Sequence, residues 1–154
     1  MAKPVVWFSV LVVIFGAIAA YQLQHYNAIG ASVLPSTQVY PIRINSQTIY
    51  VRVADTPQTQ EQGLSGTPSL PGNQGLLFVF PADGKYPFWM KDMNYSIDIL
   101  WLADDGSVVY IAPNVTPQSY PRTYVSTEPA RYVLEVNAGF ASSHGIKIGT
   151  TSSL

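Results

Sequence analysis

The sequence has no cysteine and few charged residues. Its 154 residues include 8 Lys and Arg, 9 Asp and Glu and 2 His, so that charged residues make up 11% of the chain. Without cysteine there can be no disulfide scaffold, no thiol nucleophile and no zinc–thiolate site. The net charge of −1, with no run of basic residues, gives no reason to expect a nucleic acid as partner. A hydrophobic content of 47% excludes a disordered, highly charged protein.

Metal and cofactor sites also lack support in the sequence. His144 is the only histidine after residue 38, and the acidic residues do not have the spacing of a calcium loop. The glycines between residues 63 and 75 are irregularly spaced, and no lysine follows them as in a phosphate-binding loop. We therefore expect neither a metal nor a cofactor.

A long apolar segment lies near the N-terminus. Val5 to Tyr21 reads VVWFSVLVVIFGAIAAY, and as a helix it would be about 25 Å long, close to the shortest bilayer span. Residues 17–19 (AIA) also resemble a signal-peptide cleavage site. Lys3 is the only basic residue before Arg43, which predicts a cytoplasmic N-terminus. We expect residues 1–21 to anchor the protein in the cell membrane as a single-pass helix, or to be cleaved and release a secreted protein.

The rest of the chain divides into a tether and a folded domain. Residues 22–38 are rich in Gln, Asn, Ala, Ser and Gly, which predicts a flexible tether. Residues 39–154 contain short apolar runs separated by Gly, Pro, Asn and Asp, a pattern typical of strands. Two short helices are predicted: one begins at Thr56-Pro57, and the other spans residues 138–144. The predicted strands are 39–44, 48–53, 76–80, 88–93, 97–102, 107–112, 132–136 and 146–148.

This pattern predicts a mainly β domain, and the apolar segment with Lys3 before it predicts that the domain is extracytoplasmic. With about eight strands and only two brief helices, an antiparallel β-sandwich or a rolled sheet would bury the apolar faces of the strands.

Charged and aromatic residues inside the apolar runs are the candidates for a site. In its predicted strand Asp98 lies on the same face as residues 100 and 102, because alternate residues of a strand share a face. Glu135 likewise shares a face with residues 133 and 137. A carboxylate on such a face is costly unless it is paired, and Lys91 could pair with either one. Trp89, Tyr95 and Trp101 could form an apolar platform for a ligand. Structural ion pairs and ordinary core packing are the alternatives.

From about Val51 to Gly149 the chain resembles the bacterial and archaeal family known as domain of unknown function 192. The resemblance implies a mainly β sandwich of jelly-roll type in a protein that is often secreted or membrane-anchored. It implies no catalytic role for any residue, although Trp89, Lys91, Asp98 and Glu135 match the family's motifs. Gln60 departs from them, since an arginine is usual there. The matching segments are ADTP (54–57), QGL (62–64), GLLFVF (75–80), FWMKDM (88–93), IDI (97–99), DG (105–106), VTP (115–117), VLEVNAG (133–139) and GIKIG (145–149).

Three functions remain open from the sequence. We expect most a membrane-tethered binding module for a polar small molecule, a glycan or an envelope component. Its candidate ligand-binding residues are Trp89, Lys91, Asp98, Trp101 and Glu135. A structural or assembly partner in the cell envelope is the first alternative. A small hydrolase or lyase, with Asp98 and Glu135 as an acid–base pair assisted by Lys91, is the second.

Overall fold

The computed structural model of the protein describes residues 38–154. The expected membrane anchor, the cleavage site and all but the last residue of the expected tether lie outside the described residues. Within residues 38–154, no helix has the length and hydropathy that crossing a bilayer requires.

The described part of the chain is mainly β, as the sequence predicts. It contains nine strands, two short α-helices and one 3-10 turn at Pro117–Ser119. The strands are β1 (Tyr40–Ile44), β2 (Gln47–Ala54), β3 (Gln74–Gly84), β4 (Phe88–Trp89), β5 (Ile97–Leu102), β6 (Val108–Val115), β7 (Thr123–Tyr124), β8 (Ala130–Asn137) and β9 (Ser152–Ser153). The helices are α1 (Pro57–Gln62) and α2 (Phe140–Ser143).

Seven strands form one sheet in the order β6-β5-β8-β3-β2-β1-β9, and β4 pairs with β7 in a second, small sheet. Neighbouring strands are antiparallel with one exception, the parallel pair of β2 and β3. A parallel pair needs a crossover connection, and residues 55–73, which include α1, provide it. The helix thereby comes to lie beside the end of β2 and the middle of β3.

The large sheet curls until its two edges meet through the C-terminal segment. On one side Ser152 pairs with Ile44 of β1. On the other side Thr151 forms a bridge with Ser107, and the Val108 N–H donates to the Thr150 carbonyl at 2.8 Å. Of the two arrangements that the strand pattern allows, the structure has the rolled sheet.

Each face of the rolled sheet carries a buried apolar cluster, while the face of β1 and β2 that bears Pro41 and Tyr50 is exposed. The inner cluster joins Ile42 and Ile44 of β1 to Leu102 and Val108 at the opposite edge, which the curl brings together. The outer cluster includes Phe78 and Trp101, among other residues, and is covered by the loops and the small sheet. All six residues of β5 are buried because the strand lies between these two clusters.

Several local predictions can be compared with the structure. Helix α1 begins at Pro57, and the side chains of Thr56 and Thr59 cap each other's backbone N–H groups. The predicted strand 88–93 is shorter, because the chain turns after Trp89 and Asp92 adopts a φ of 55°. The predicted strand 146–148 is wrong. The last strand is the polar pair Ser152–Ser153, which has no apolar alternation by which it could be recognised.

Candidate functional site

A pocket of about 200 Å³ opens on the outer face of the sheet, between α1 and the segment that carries β4. Aromatic and apolar side chains form most of its wall, and a single buried carboxylic acid, that of Glu135, lies among them. The lining residues are Gln60, Glu61, Gln62, Gly63, Leu64, Ser65, Phe78, Phe80, Tyr86, Pro87, Phe88, Trp89, Met93 and Glu135.

Glu135 reaches the pocket from the middle of the large sheet. Its strand β8 lies between β3 and β5, where Glu135 pairs with Leu76 and Ile99. The residue is only 4% exposed, and its Oε2 atom has no hydrogen-bond partner within the described part of the chain. Burial raises the pKa of Glu135 to about 8, so its carboxyl group is mostly protonated at neutral pH. In that state it can donate one hydrogen bond and also accept others.

The aromatic wall is built by packing between β3 and the segment that follows it. The rings of Phe80 and Tyr86 are stacked with their centroids 3.6 Å apart, and those of Phe78 and Phe88 are perpendicular with their centroids 4.7 Å apart. The Tyr86 hydroxyl donates to the Ala82 carbonyl at 2.6 Å. These contacts close the loop on itself and hold the ring faces of the wall in place.

Helix α1 forms the opposite rim. The Gln60 amide donates to the Val79 carbonyl at 2.9 Å and to the Ala54 carbonyl at 3.3 Å, so that it ties the helix to the middle of β3 and to the end of β2. The next two residues, Glu61 and Gln62, are exposed at the rim of the pocket. The residue that departs from the family's pattern is therefore a structural link at the edge of the site.

The structure brings two of the predicted site residues together. Trp89 is 51% exposed and lines the same pocket as Glu135. Lys91 lies beside them in an adjoining, more open cleft that it shares with Glu61 and Asp92. Among the described residues, no ion pair joins Lys91 to Asp98 or Glu135. Trp89 and Glu135 are consequently the pair of candidates that faces one space.

Asp98 lies on the other face of the sheet. It pairs with Val136 while its neighbour Ile99 pairs with Glu135, and successive residues of a strand point to opposite faces. Its carboxylate accepts hydrogen bonds from the backbone N–H groups of Asn114 at 2.8 Å, Gly139 at 3.1 Å and Ala141 at 2.9 Å. Asp98 thus holds the start of α2 against β6, and the structure does not bring it together with Glu135 as an acid–base pair.

Trp101 has a supporting position behind the pocket. It is fully buried, its ring is nearly perpendicular to that of Phe88 with the centroids 5.7 Å apart, and its indole N–H donates to the Tyr86 carbonyl at 3.1 Å. The side chain therefore fixes two residues of the aromatic wall and does not itself form a platform for a ligand.

Sequence reasoning missed much of the wall. Phe78 and Phe80 alternate onto one face of β3 together with Leu76, and this spacing is visible in the run GLLFVF. Their approach to Glu135 depends on the pairing of β3 with β8, which the sequence does not reveal. Met93 carries no signal that distinguishes it from other loop residues.

The remaining polar surroundings of the site are limited. Tyr95 lies near Glu135, and its hydroxyl is 2.7 Å from the Thr67 hydroxyl. Burial raises the pKa of Tyr95, so its phenol stays neutral at physiological pH. In residues 38–154 no group of three or more His, Asp or Glu side chains is arranged to hold a metal ion.

Comparisons with known proteins agree with this architecture. The family model of DUF192, described as an uncharacterized ACR, matches residues 40–154. One similar structure is that of a protein of Sinorhizobium meliloti 1021, to which transcription regulation has been ascribed. It has 30% sequence identity to this chain and a TM-score of 0.72, and the match covers 75% of this chain and 93% of the Sinorhizobium chain. A protein of unknown function from Novosphingobium aromaticivorans DSM 12444 has 26% identity and a TM-score of 0.73 over 80% and 91% of the two chains. No curated protein matches the chain.

Proposed function

The chain belongs to the DUF192 family, and on that premise we propose that its folded domain is a binding module that holds a small ligand in the pocket beside Glu135. The observation that carries this proposal is the Oε2 atom of Glu135, which is buried at an aromatic pocket without a hydrogen-bond partner among residues 38–154.

An unpaired polar atom inside a protein costs about 1–3 kcal/mol relative to one that is hydrogen-bonded. Asp98 shows how this chain satisfies a buried carboxylate whose role is structural, since three backbone N–H groups surround it. Glu135 has no such set in the described part of the chain. A bound ligand that supplies the missing partner would account for a polar atom that the fold itself leaves unsatisfied.

The dimensions of the pocket limit the ligand. Its volume of about 200 Å³ is below the roughly 300–1,000 Å³ of pockets for drug-sized molecules. The rings of Phe80, Tyr86, Phe88 and Trp89 favour an apolar or planar body, and Glu135 offers one polar contact. A small metabolite, a single sugar ring or one side chain of an envelope peptide fits this description. Direct nucleic-acid binding is not part of the proposal, because the net charge is −1 and the sequence has no basic run.

A fragment screen by NMR tests the proposal. The purified full-length chain, labelled with ¹⁵N, is titrated with a diverse set of small fragments. We expect ligands that shift the amide of Gly63 and the indole N–H of Trp89, and whose binding is weakened by Trp89→Ala. Tyr40→Ala is the matched control, because Tyr40 is similarly exposed, at 46%, and does not line the pocket. A screen in which no fragment perturbs the pocket residues would reject the binding function.

We propose in addition that residues 5–21 tether the domain to the outer side of the cell membrane. The apolar run and the position of Lys3 in the sequence support this proposal. Cell fractionation, protease treatment of intact and opened cells, and sequencing of the mature N-terminus test it together. An intact chain in the cytosolic fraction would contradict the proposal. A secreted chain that lacks its first residues would mean that the segment is a cleaved signal.

A further inference from the structure

We propose that the ligand of the Glu135 pocket is an organic cation, such as an alkylammonium group, and that Glu135 releases its proton when the cation binds. This inference rests on the proposed binding function and specifies the chemical class of its ligand.

The charges around the pocket favour a cation. Two of the lining residues, Glu61 and Glu135, are carboxylic acids, and no lysine, arginine or histidine of residues 38–154 lines the wall. Lys91, which lies in the adjoining cleft, is exposed and does not belong to the lining. A carboxylate ligand would therefore enter without a positively charged partner, whereas a cation would meet Glu61 at the rim and Glu135 inside.

The aromatic rings favour a cation as well. Phe80, Tyr86, Phe88 and Trp89 all line the pocket, and the face of an aromatic ring attracts a positive charge within about 6 Å. Trp89, which gives the strongest attraction of this kind, is half-exposed at the pocket. A desolvated alkylammonium group can thus exchange its water for contacts with these aromatic side chains and with one carboxylate.

The unpartnered oxygen of Glu135 supplies the remaining interaction. When the cation arrives, the neutral carboxyl group loses its proton to solvent and the resulting carboxylate pairs with the ammonium, so that one positive charge enters and one proton leaves. The other groups near Glu135 do not take this role. The Tyr86 hydroxyl bonds to Ala82, that of Tyr95 contacts Thr67, and Arg52 lies two strands away across Leu76.

The test uses three probes of one size: butylammonium, butanol and butyrate. Each is titrated into the full-length chain between pH 6 and 9, with the amide of Gly63 and the indole of Trp89 as NMR reporters. Butylammonium and butyrate keep their charges over this range. We expect the Kd of butylammonium to fall by about tenfold per pH unit between pH 6 and 7 and to level off above pH 8. Butanol should bind more weakly and without pH dependence.

Variants and proton counting complete the experiment. Glu135→Gln should weaken butylammonium binding at pH 8 by at least about tenfold and remove its pH dependence. Calorimetry in buffers of different ionisation enthalpy should show release of about 0.9 proton per butylammonium at pH 7, the protonated fraction of a group with a pKa of about 8. Trp89→Ala should weaken butylammonium more than butanol, and Tyr40→Ala should change neither.

The outcomes separate this inference from the binding function itself. If butanol or butyrate binds to wild-type protein at pH 8 as tightly as butylammonium, or if butylammonium binds without pH dependence, the cation proposal is overturned while the pocket remains a binding site. If none of the three probes perturbs Gly63 or Trp89, the cation proposal is also overturned, and the fragment screen alone decides on the binding function. The pH profile of the wild type tests the cation proposal even if Glu135→Gln does not fold.

Discussion

Replacement of Glu135 by glutamine should change how the stability of the fold depends on pH. Glutamine has nearly the same shape as a protonated glutamate but cannot ionise. The pKa of Glu135 is about 8 in the folded protein because of burial, against 4.5 for an ordinary glutamate. Between these values the unfolded chain loses a proton that the folded chain retains.

The sign and the magnitude follow from this difference. Below pH 4.5 both states are protonated, and the glutamate carries no penalty. As the pH rises through the window from 4.5 to about 8, the wild type loses about 1.4 kcal/mol of unfolding free energy per pH unit. The loss is about 3 kcal/mol at pH 7, about 4 kcal/mol at pH 8 and about 5 kcal/mol above pH 9. Glu135→Gln should escape it and become progressively more stable than wild type.

Urea denaturation followed by circular dichroism, repeated from pH 4 to 9, measures this effect. Any constant offset caused by the amide group displaces the difference between variant and wild type equally at every pH, so the slope of that difference against pH isolates the effect of ionisation. Glu128→Gln is the matched control, because Glu128 is exposed and its difference from wild type should stay flat. If the curve for Glu135→Gln is equally flat between pH 4.5 and 8, the carboxyl group is not desolvated in the folded protein and the reasoning fails.

Three further substitutions test the supporting structure. Asp98→Asn should cost about 2 kcal/mol of unfolding free energy, since an amide cannot accept all three backbone hydrogen bonds. It should leave the affinity for butylammonium unchanged, and a loss of affinity without a loss of stability would mean that Asp98 belongs to the binding site. Trp101→Phe should destabilise the fold by about 2 kcal/mol and weaken ligand binding, because the Tyr86 carbonyl loses its hydrogen-bond donor. Unchanged ligand binding would contradict the role of Trp101 in holding the aromatic wall of the pocket. Thr56→Ala should cost about 1 kcal/mol by removing the cap of α1, and denaturation curves that superimpose on wild type would disprove the cap.

Most of the strands could be predicted from the sequence because their apolar residues alternate or form uninterrupted runs. The run at 97–102 is the strand observed, and the proline and threonine at 56–57 mark the start of α1. The segment after Trp89 was misleading, since two methionines continue the apolar pattern where the backbone turns. The serines of β9 pair through their backbone alone and leave no pattern in the side chains.

The site was harder to predict because it depends on which strands are neighbours. Alternation correctly places Asp98 with Leu100, and Glu135 with Val133, on one face of each strand. It cannot show that β5 and β8 pair in the register that sends the two carboxyl groups to opposite faces. Composition likewise cannot distinguish Trp89, which is half-exposed at the pocket, from Trp101, which is buried behind it.

The central claim is that a carboxyl group lies desolvated and unpaired in the wall of an aromatic pocket. A ¹³C NMR titration of the glutamate side chains measures this directly, since the chain has only three glutamates and Glu135→Gln identifies the resonance. We expect Glu135 to titrate with a midpoint near pH 8, and saturating butylammonium to lower this midpoint. A midpoint near 4.5 in the free protein would contradict the claim.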